Sequence, residues 1–217
     1  MTKPARDPGA VEEIRDGIIE KAVNILAEEG FASLTMRRIA SVTRMSATNL
    51  YNYFANKDEI YISILIKGFE KLYGIFLDVS RSTAEPRERG KRLMKAYLEF
   101  GIGNSHYYDI MFTRPAPRYN EYKGTPLEAM AQVEMDYSVK IIQITADAVR
   151  DVLTQDGIAP DGEVLGRRLL QAWALVHGLI VLHNSRIVTY VSEDARSLYE
   201  KAIDEVLDLM GGDGSTA

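Results

Sequence analysis

Residues 31–57 read FASLTMRRIASVTRMSATNLYNYFANK and carry Arg37, Arg38, Arg44 and Lys57 with no acidic side chain. The chain of 217 residues around them has a formal net charge of −5. A local cationic segment in an acidic protein suits contact with a polyanion, whereas the whole surface does not suit non-specific coating of nucleic acid. Thr35 and Ser46 each stand where a hydroxyl can cap a helix start. The stretch therefore reads as two short helices around a turn, one opened by Thr35 and running to Thr43, the other opened by Ser46 and running to Tyr53. Asn56 caps a longer helix beginning at Lys57. A helix-turn-helix is the expected arrangement.

Outward from this stretch the apolar spacing stays helical. Residues 1–9, with Pro4, Pro8 and Gly9, read as a flexible arm. Val11, Ile14, Ile18, Ala22, Ile25 and Leu26 then recur at three and four until Gly30. The breakers Ser82 to Pro86 open a helix with Leu93, Tyr97 and Phe100 on one face, and a short element follows over 106–112. Residues 114–126 hold three prolines, a glycine and two tyrosines and read as a loop able to fold over something. A helix over about 126–155 has apolar stripes on two faces, one over about 162–188 is apolar nearly all round, and one over 193–210 has a single apolar face. The tail GGDGSTA reads as disordered.

No strand alternation of useful length and no repeat is present. The expectation is an all-α protein of about nine helices. Its divisions are an arm (1–9), a helix-turn-helix unit (10–56), a connecting helix (57–82), a second helical unit (83–211) large enough to sense something or dimerise, and a tail (212–217).

Composition is ordinary, with 46% apolar and 26% charged residues. The chain has no cysteine, which excludes disulfides and thiolate metal sites and points to the cytoplasm. The N-terminus has no apolar leader, and the longest apolar stretch, Ala172–Leu182, is interrupted by His177 and too short to span a bilayer. Neither export nor membrane insertion is expected.

Phe31, Leu34-Thr35, Ile39-Ala40, Ser46, Leu50-Tyr51, Tyr53-Phe54, Lys57 and Ile60 stand in the order and spacing of TetR family transcriptional regulators, which this segment resembles over about 45 residues. The resemblance implies that the third helix enters the major groove while neighbouring side chains clamp phosphates. Carried over by position, Thr35, Arg37, Tyr51, Tyr53 and Lys57 are the implied phosphate contacts. Ser46, Ala47, Thr48 and Asn49 are the implied groove-facing set, and Arg44 serves either. Asn49 is the best base reader, because its amide can bond adenine twice. Arg38, like Arg37, is expected to contact DNA, and Phe54 is expected in the core. Two departures stand out: Thr43-Arg44-Met45 replaces the family's usual Ala-Gly-Val, and Thr48 replaces a common glycine.

In the second half, Trp173-Ala174-Leu175-Val176-His177-Gly178-Leu179 is similar to a C-terminal type of the same family named for a Trp, His-Gly signature. That resemblance implies a homodimer through the helices over 162–188 and 193–210, and a ligand cavity. Candidate lining residues are Tyr97, Phe100, Asn104, His106, Tyr107, Met111, Phe112, Glu134, Tyr137, Trp173 and His177, each with packing as its plainer role. Glu134 interrupts an apolar stripe, so it must be paired, neutralised or near water or ligand.

Catalysis is not expected. The histidines His106, His177 and His183 lack a metal spacing, and no nucleophile elbow or phosphate-cradling glycine loop occurs. Neither a cofactor nor a metal is implied. A helical scaffold without ligand response is the rival reading, but it leaves the acid-free segment unexplained. The reading reached is a homodimeric regulator, a repressor with an activator as the open alternative, that binds a palindromic DNA operator and is released by a small-molecule effector.

Overall fold

The structure, a computed structural model, describes residues 7–211; the tail 212–217 and most of the arm expected over 1–9 lie outside them. Among the described residues there is no strand, and ten α-helices occur where about nine were expected. The chain divides into two compact units, the described parts of residues 1–69 with 106–136, and of 70–105 with 137–217.

In the first unit, α1 (Pro8–Glu29) starts earlier than the sequence suggested. Asp7 caps it and Pro8 stands in its first turn, where the missing N–H has no helical partner to lose. It buries Ile18, Ile19, Ala22, Val23, Ile25 and Leu26, and Gly30 ends it at φ 82°. After a 3-10 turn over Phe31–Ser33 come α2 (Met36–Thr43), α3 (Ala47–Leu50) and the first part of α4 (Lys57–Ser82). The third helix is shorter than expected: Leu50 ends it and residues 51–53 form a turn.

The same unit contains α6 (Ser105–Tyr108), a π-turn over Asp109–Thr113, α7 (Tyr119–Tyr122) and the start of α8 (Glu128–Gln155). Residues 106–136, part of the stretch expected as the second domain, pack in the same compact unit as the helix-turn-helix. Their ties to α1 explain this: the Tyr107 hydroxyl donates to Glu20 over 2.9 Å, and Arg114 bonds the Ala27 carbonyl. The stretch expected as a plain loop holds α7, whose Tyr122 is buried.

In the second unit, α5 (Pro86–Gly103) packs on α9 (Gly162–Asn184) and α10 (Ala195–Gly211). Gly101 permits the close approach of α5 and α9, since a Cβ there would come 2.7 Å from Ile180. Across α5 and α10 a ladder of ion pairs, Arg87–Asp208, Lys91–Asp204 and Lys95–Glu200, steps by four residues on each helix and fixes an antiparallel register.

The helices expected to be apolar on several faces do not bury them all. On α9, Ala172, Val176 and Ile180 are buried, while Leu170, Trp173, Val181 and Leu182 are exposed. On α8, Ala148, Val149, Val152 and Leu153 are buried, whereas Val139 and Ile142 are exposed. The apolar stretch judged too short to span a bilayer lies within α9, whose 23 residues are long and apolar enough to cross a membrane by length and composition alone.

Candidate nucleic-acid interface

Both caps read from the sequence are present. The Arg38 N–H donates to Thr35 Oγ1 over 3.1 Å, opening α2, and the Asn49 N–H donates to Ser46 Oγ over 3.1 Å, opening α3. Each cap satisfies one of the free amides of a helix start and leaves the residues beside it at the surface. Asn56 caps α4 in the same way, its side chain accepting the Glu59 N–H over 2.9 Å.

The turn joining α2 to α3 is a Schellman motif. Met45 N–H donates to the Ala40 carbonyl over 3.0 Å and Arg44 N–H to the Ser41 carbonyl over 3.3 Å. That geometry requires its hinge residue in the left-handed region, and Arg44 has φ 55° and ψ 31°. The end of α8 is built alike, with Ile158 bonding the Leu153 carbonyl and Gly157 the Thr154 carbonyl, and there glycine holds the position at φ 74°. Arg44 thus holds, in the left-handed region, the position that glycine holds at the end of α8.

Thr35, Arg37, Arg44, Ser46, Ala47, Thr48 and Tyr51 are exposed, and Asn49 and Lys57 are half-buried. Tyr53 stands apart from this set: it is 7% exposed and belongs to the core with Leu50 and Phe54. Lys57 Nζ lies 4.5 Å above the Phe31 ring, which meets Tyr61 edge-on at 5.0 Å. The negative face of the ring attracts the ammonium and limits the conformations of the lysine side chain. Asn49 Oδ1 accepts from Asn52 Nδ2 over 3.3 Å, so the side chain singled out as a reader is steadied by a neighbour the sequence reading passed over.

Arg38, expected to contact DNA, is exposed and has an acidic neighbour. It forks onto Glu29, with Nη2 to Oε1 at 2.6 Å and Nε to both carboxylate oxygens. This bond holds the Glu29 carboxyl below its ordinary range and raises the Arg38 guanidinium. The acid-free window 31–57 ends two residues short of this partner, and only the chain reversal at Gly30 brings the two together.

The expected effector residues are shared between the two units. Tyr97, Phe100, Asn104, Tyr137, Trp173 and His177 fall in the second unit, whereas His106, Met111 and Glu134 fall in the first, as do Tyr107 and Phe112. Tyr97 and Phe100 are core. Trp173 is 47% exposed and donates through Nε1 to the Tyr97 hydroxyl over 3.0 Å. Asn104 closes α5 and accepts from Lys71 Nζ over 2.7 Å. The Tyr137 hydroxyl donates to Glu70 over 2.9 Å, which raises its pKa. Burial lowers the pKa of His177. His106 is exposed, Met111 is buried against the place where a Gly68 side chain would lie, and Glu134 is half-buried.

Two capped helices around a tight turn, in a chain that is all-helical over its described residues, define a helix-turn-helix, a motif of DNA-binding proteins. Residues 18–64 match the description "Bacterial regulatory proteins, tetR family", and residues 91–206 match "Tetracyclin repressor-like, C-terminal domain". The chain belongs to the TetR family. Neither description is the Trp, His-Gly type expected for the second half.

Among curated relatives, the transcriptional repressor KstR2 of Mycobacterium tuberculosis is 32% identical over 114 residues, 52% of this chain and 56% of that protein. The transcriptional activator FasR of Mycolicibacterium smegmatis is 25% identical over 145 residues, 67% of this chain and 61% of that protein. The match thus spans little more than half the length of these relatives. Among solved structures, the TetR family regulator PfmR of Thermus thermophilus superposes with a TM-score of 0.68 at 16% identity, covering 94% of this chain and 98% of that one. The ketosteroid regulator KstR2 of M. tuberculosis gives 0.63 at 19%, covering 90% and 93%. These likenesses establish the fold.

Proposed function

We propose that the protein is a homodimeric cytoplasmic repressor that binds a palindromic operator and is released by a small molecule. The observation that carries this reading is the exposed face around α3: Ser46, Ala47, Thr48 and Asn49 at a capped helix start, flanked by Arg37, Arg44, Tyr51 and Lys57. Short side chains at a helix start permit close approach to base edges, and the flanking cations and hydroxyls suit phosphates. Asn49 reads a base, while Thr35, Arg37, Tyr51 and Lys57 hold the backbone.

The exposed stripe Leu170, Trp173 and Val181 on α9, with Leu198 and Leu209 on α10, supports self-association through these two helices. Two copies would present their reading helices to successive major grooves, with half-site centres ~34–36 Å apart. The same apolar side chains favour a protein partner over a bilayer, because α9 also carries Glu163, Arg167 and Arg168.

The effector is an apolar small molecule held by the second half. Tyr97, Phe100, Tyr137, Trp173 and His177 supply aromatic surface with a few polar groups, and among the solved relatives are a ketosteroid regulator and a fatty acid degradation regulator. Release requires that the effector bind the two states with different affinity. Activation in place of repression is a second reading, favoured by the likeness to FasR, an activator.

Selection of random duplex DNA by the purified protein at two salt concentrations tests the proposal. An enriched palindrome whose binding weakens steeply with salt is expected, and ketosteroids and fatty acids are then assayed for release. Failure of a folded dimer to enrich any sequence would overturn the operator reading.

A further inference from the structure

Arg15 lies on α1, outside the helix-turn-helix, and nothing in its sequence surroundings sets it apart from the other charges there. Its guanidinium makes three different contacts. Nη1 donates to the Tyr53 carbonyl, Nη2 pairs with Glu59 Oε1 at 3.4 Å, and the planar group lies 4.0 Å from the centre of the Phe54 ring. The other oxygen of Glu59 accepts the Ala55 N–H over 2.6 Å. Asn56, the next residue, caps α4. The whole connection between α3 and α4 is thus fixed residue by residue: the carbonyl of 53 and the ring of 54 by Arg15, the amide of 55 by its carboxylate partner, and residue 56 by capping.

The elements on either side of this connection carry the DNA-facing groups. Asn49 and Tyr51 precede it and Lys57 follows it. α1 is itself secured along its length, by Asp16 paired with Lys67 on α4 and by the bonds of Tyr107 and Arg114 to Glu20 and the Ala27 carbonyl.

We infer that Arg15 is a positioning residue for sequence recognition, setting the reading helix α3 relative to the phosphate-facing start of α4 without touching DNA. The inference rests on the proposed reading of residues 35–57 as the DNA-facing surface. The physical ground is tolerance. A base-edge hydrogen bond is lost when its donor moves by a fraction of an ångström, whereas attraction to phosphates survives such movement. Loosening the connection therefore penalises the correct sequence and spares non-specific binding. Only a planar fork can serve a carbonyl, a carboxylate and a ring together, so lysine cannot replace it.

The test uses the full-length protein and two duplexes, the operator selected by the wild type and a scrambled sequence of equal length. Arg15→Lys and Glu59→Gln are compared with wild type at several salt concentrations, each well below its own Tm. In Glu59→Gln the amide oxygen still accepts from Ala55, which guards against a variant that fails only by misfolding.

Expected for both variants is a loss of about ten-fold or more in operator affinity, the cost of one poorly met base contact. Scrambled-duplex affinity and the salt slope should be unchanged, and the double variant should be no worse than either single one. Wild-type operator affinity in Arg15→Lys, or an equal loss on both duplexes, would overturn the inference. If the wild type itself selects no sequence, the reading of residues 35–57 fails instead, which separates the two.

Discussion

Arg44 occupies a position of the helix-turn-helix where backbone geometry favours glycine and the proposed DNA contact favours a cation, so its replacement by glycine is expected to have two opposite effects. At φ 55° the Arg44 Cβ crowds the backbone, which costs roughly 1–2 kcal/mol for an L-residue. Glycine removes that strain but adds freedom to the unfolded chain, offsetting about 0.4–1 kcal/mol. The net expectation for Arg44→Gly is stabilisation by about 0.5–1 kcal/mol, or a rise in Tm of about 1–4 °C for a chain of this size.

The same change removes an exposed cation next to the reading helix. If Arg44 meets a phosphate, the slope of log affinity against log salt should become shallower by about 0.9 per protomer. Arg44→Ala separates the two effects, since it loses the charge and keeps the crowded Cβ: it should reproduce the weakened binding without the added stability. Thermal or urea unfolding at a fixed protein concentration gives the first quantity, and fluorescence anisotropy with the selected operator gives the second. A glycine variant less stable than the arginine parent would refute the strain argument. An unchanged salt slope in both variants would remove Arg44 from the phosphate contacts.

Further expectations can be checked in the same preparations. Asn49→Ala should relax preference at one base position by about 1–3 kcal/mol, whereas Lys57→Ala should weaken all sequences alike, a difference seen in repeated selection. Gly101→Ala drives a Cβ to 2.7 Å from Ile180 and should destabilise the second unit by about 1–3 kcal/mol in urea unfolding. Burial pushes the Tyr61 hydroxyl up to about 12 from an ordinary value of 10.0. A pKa raised on folding gives stability that is complete below pH 10 and is lost as pH rises through 12; at ~1.4 kcal/mol per unit the loss is about 2–3 kcal/mol. Tyr61→Phe should make the alkaline fall shallower by that amount, the remainder belonging to Tyr107 and Tyr122, whose hydroxyls burial also pushes up. Leu170→Glu, on the exposed stripe of α9, should shift sedimentation from dimer towards monomer, and an unchanged dimer would move the interface elsewhere.

What the sequence by itself determined is local. Thr35, Ser46 and Asn56 declared their caps, because a cap depends on a hydroxyl or amide and the amides within three residues of it. The apolar spacing declared an all-helical chain, because period follows from backbone geometry alone, and the order of residues from Phe31 to Ile60 declared the family. What only the tertiary structure decided is which side chains were already taken.

Arg38 reads as an unpaired cation until the reversal at Gly30 sets it against Glu29, and Tyr53, read as a phosphate contact, is packed with Leu50 and Phe54. Arg15 has no local signature, since its partners at Tyr53, Phe54 and Glu59 are distant in sequence and reach it only through the fold. Residues 106–136 pack against α1 for the same reason: a hydroxyl and a guanidinium from that segment meet it, contacts that no periodicity encodes. Helix and cap are set by neighbours along the chain, while availability for DNA is set by whatever the folded chain brings alongside.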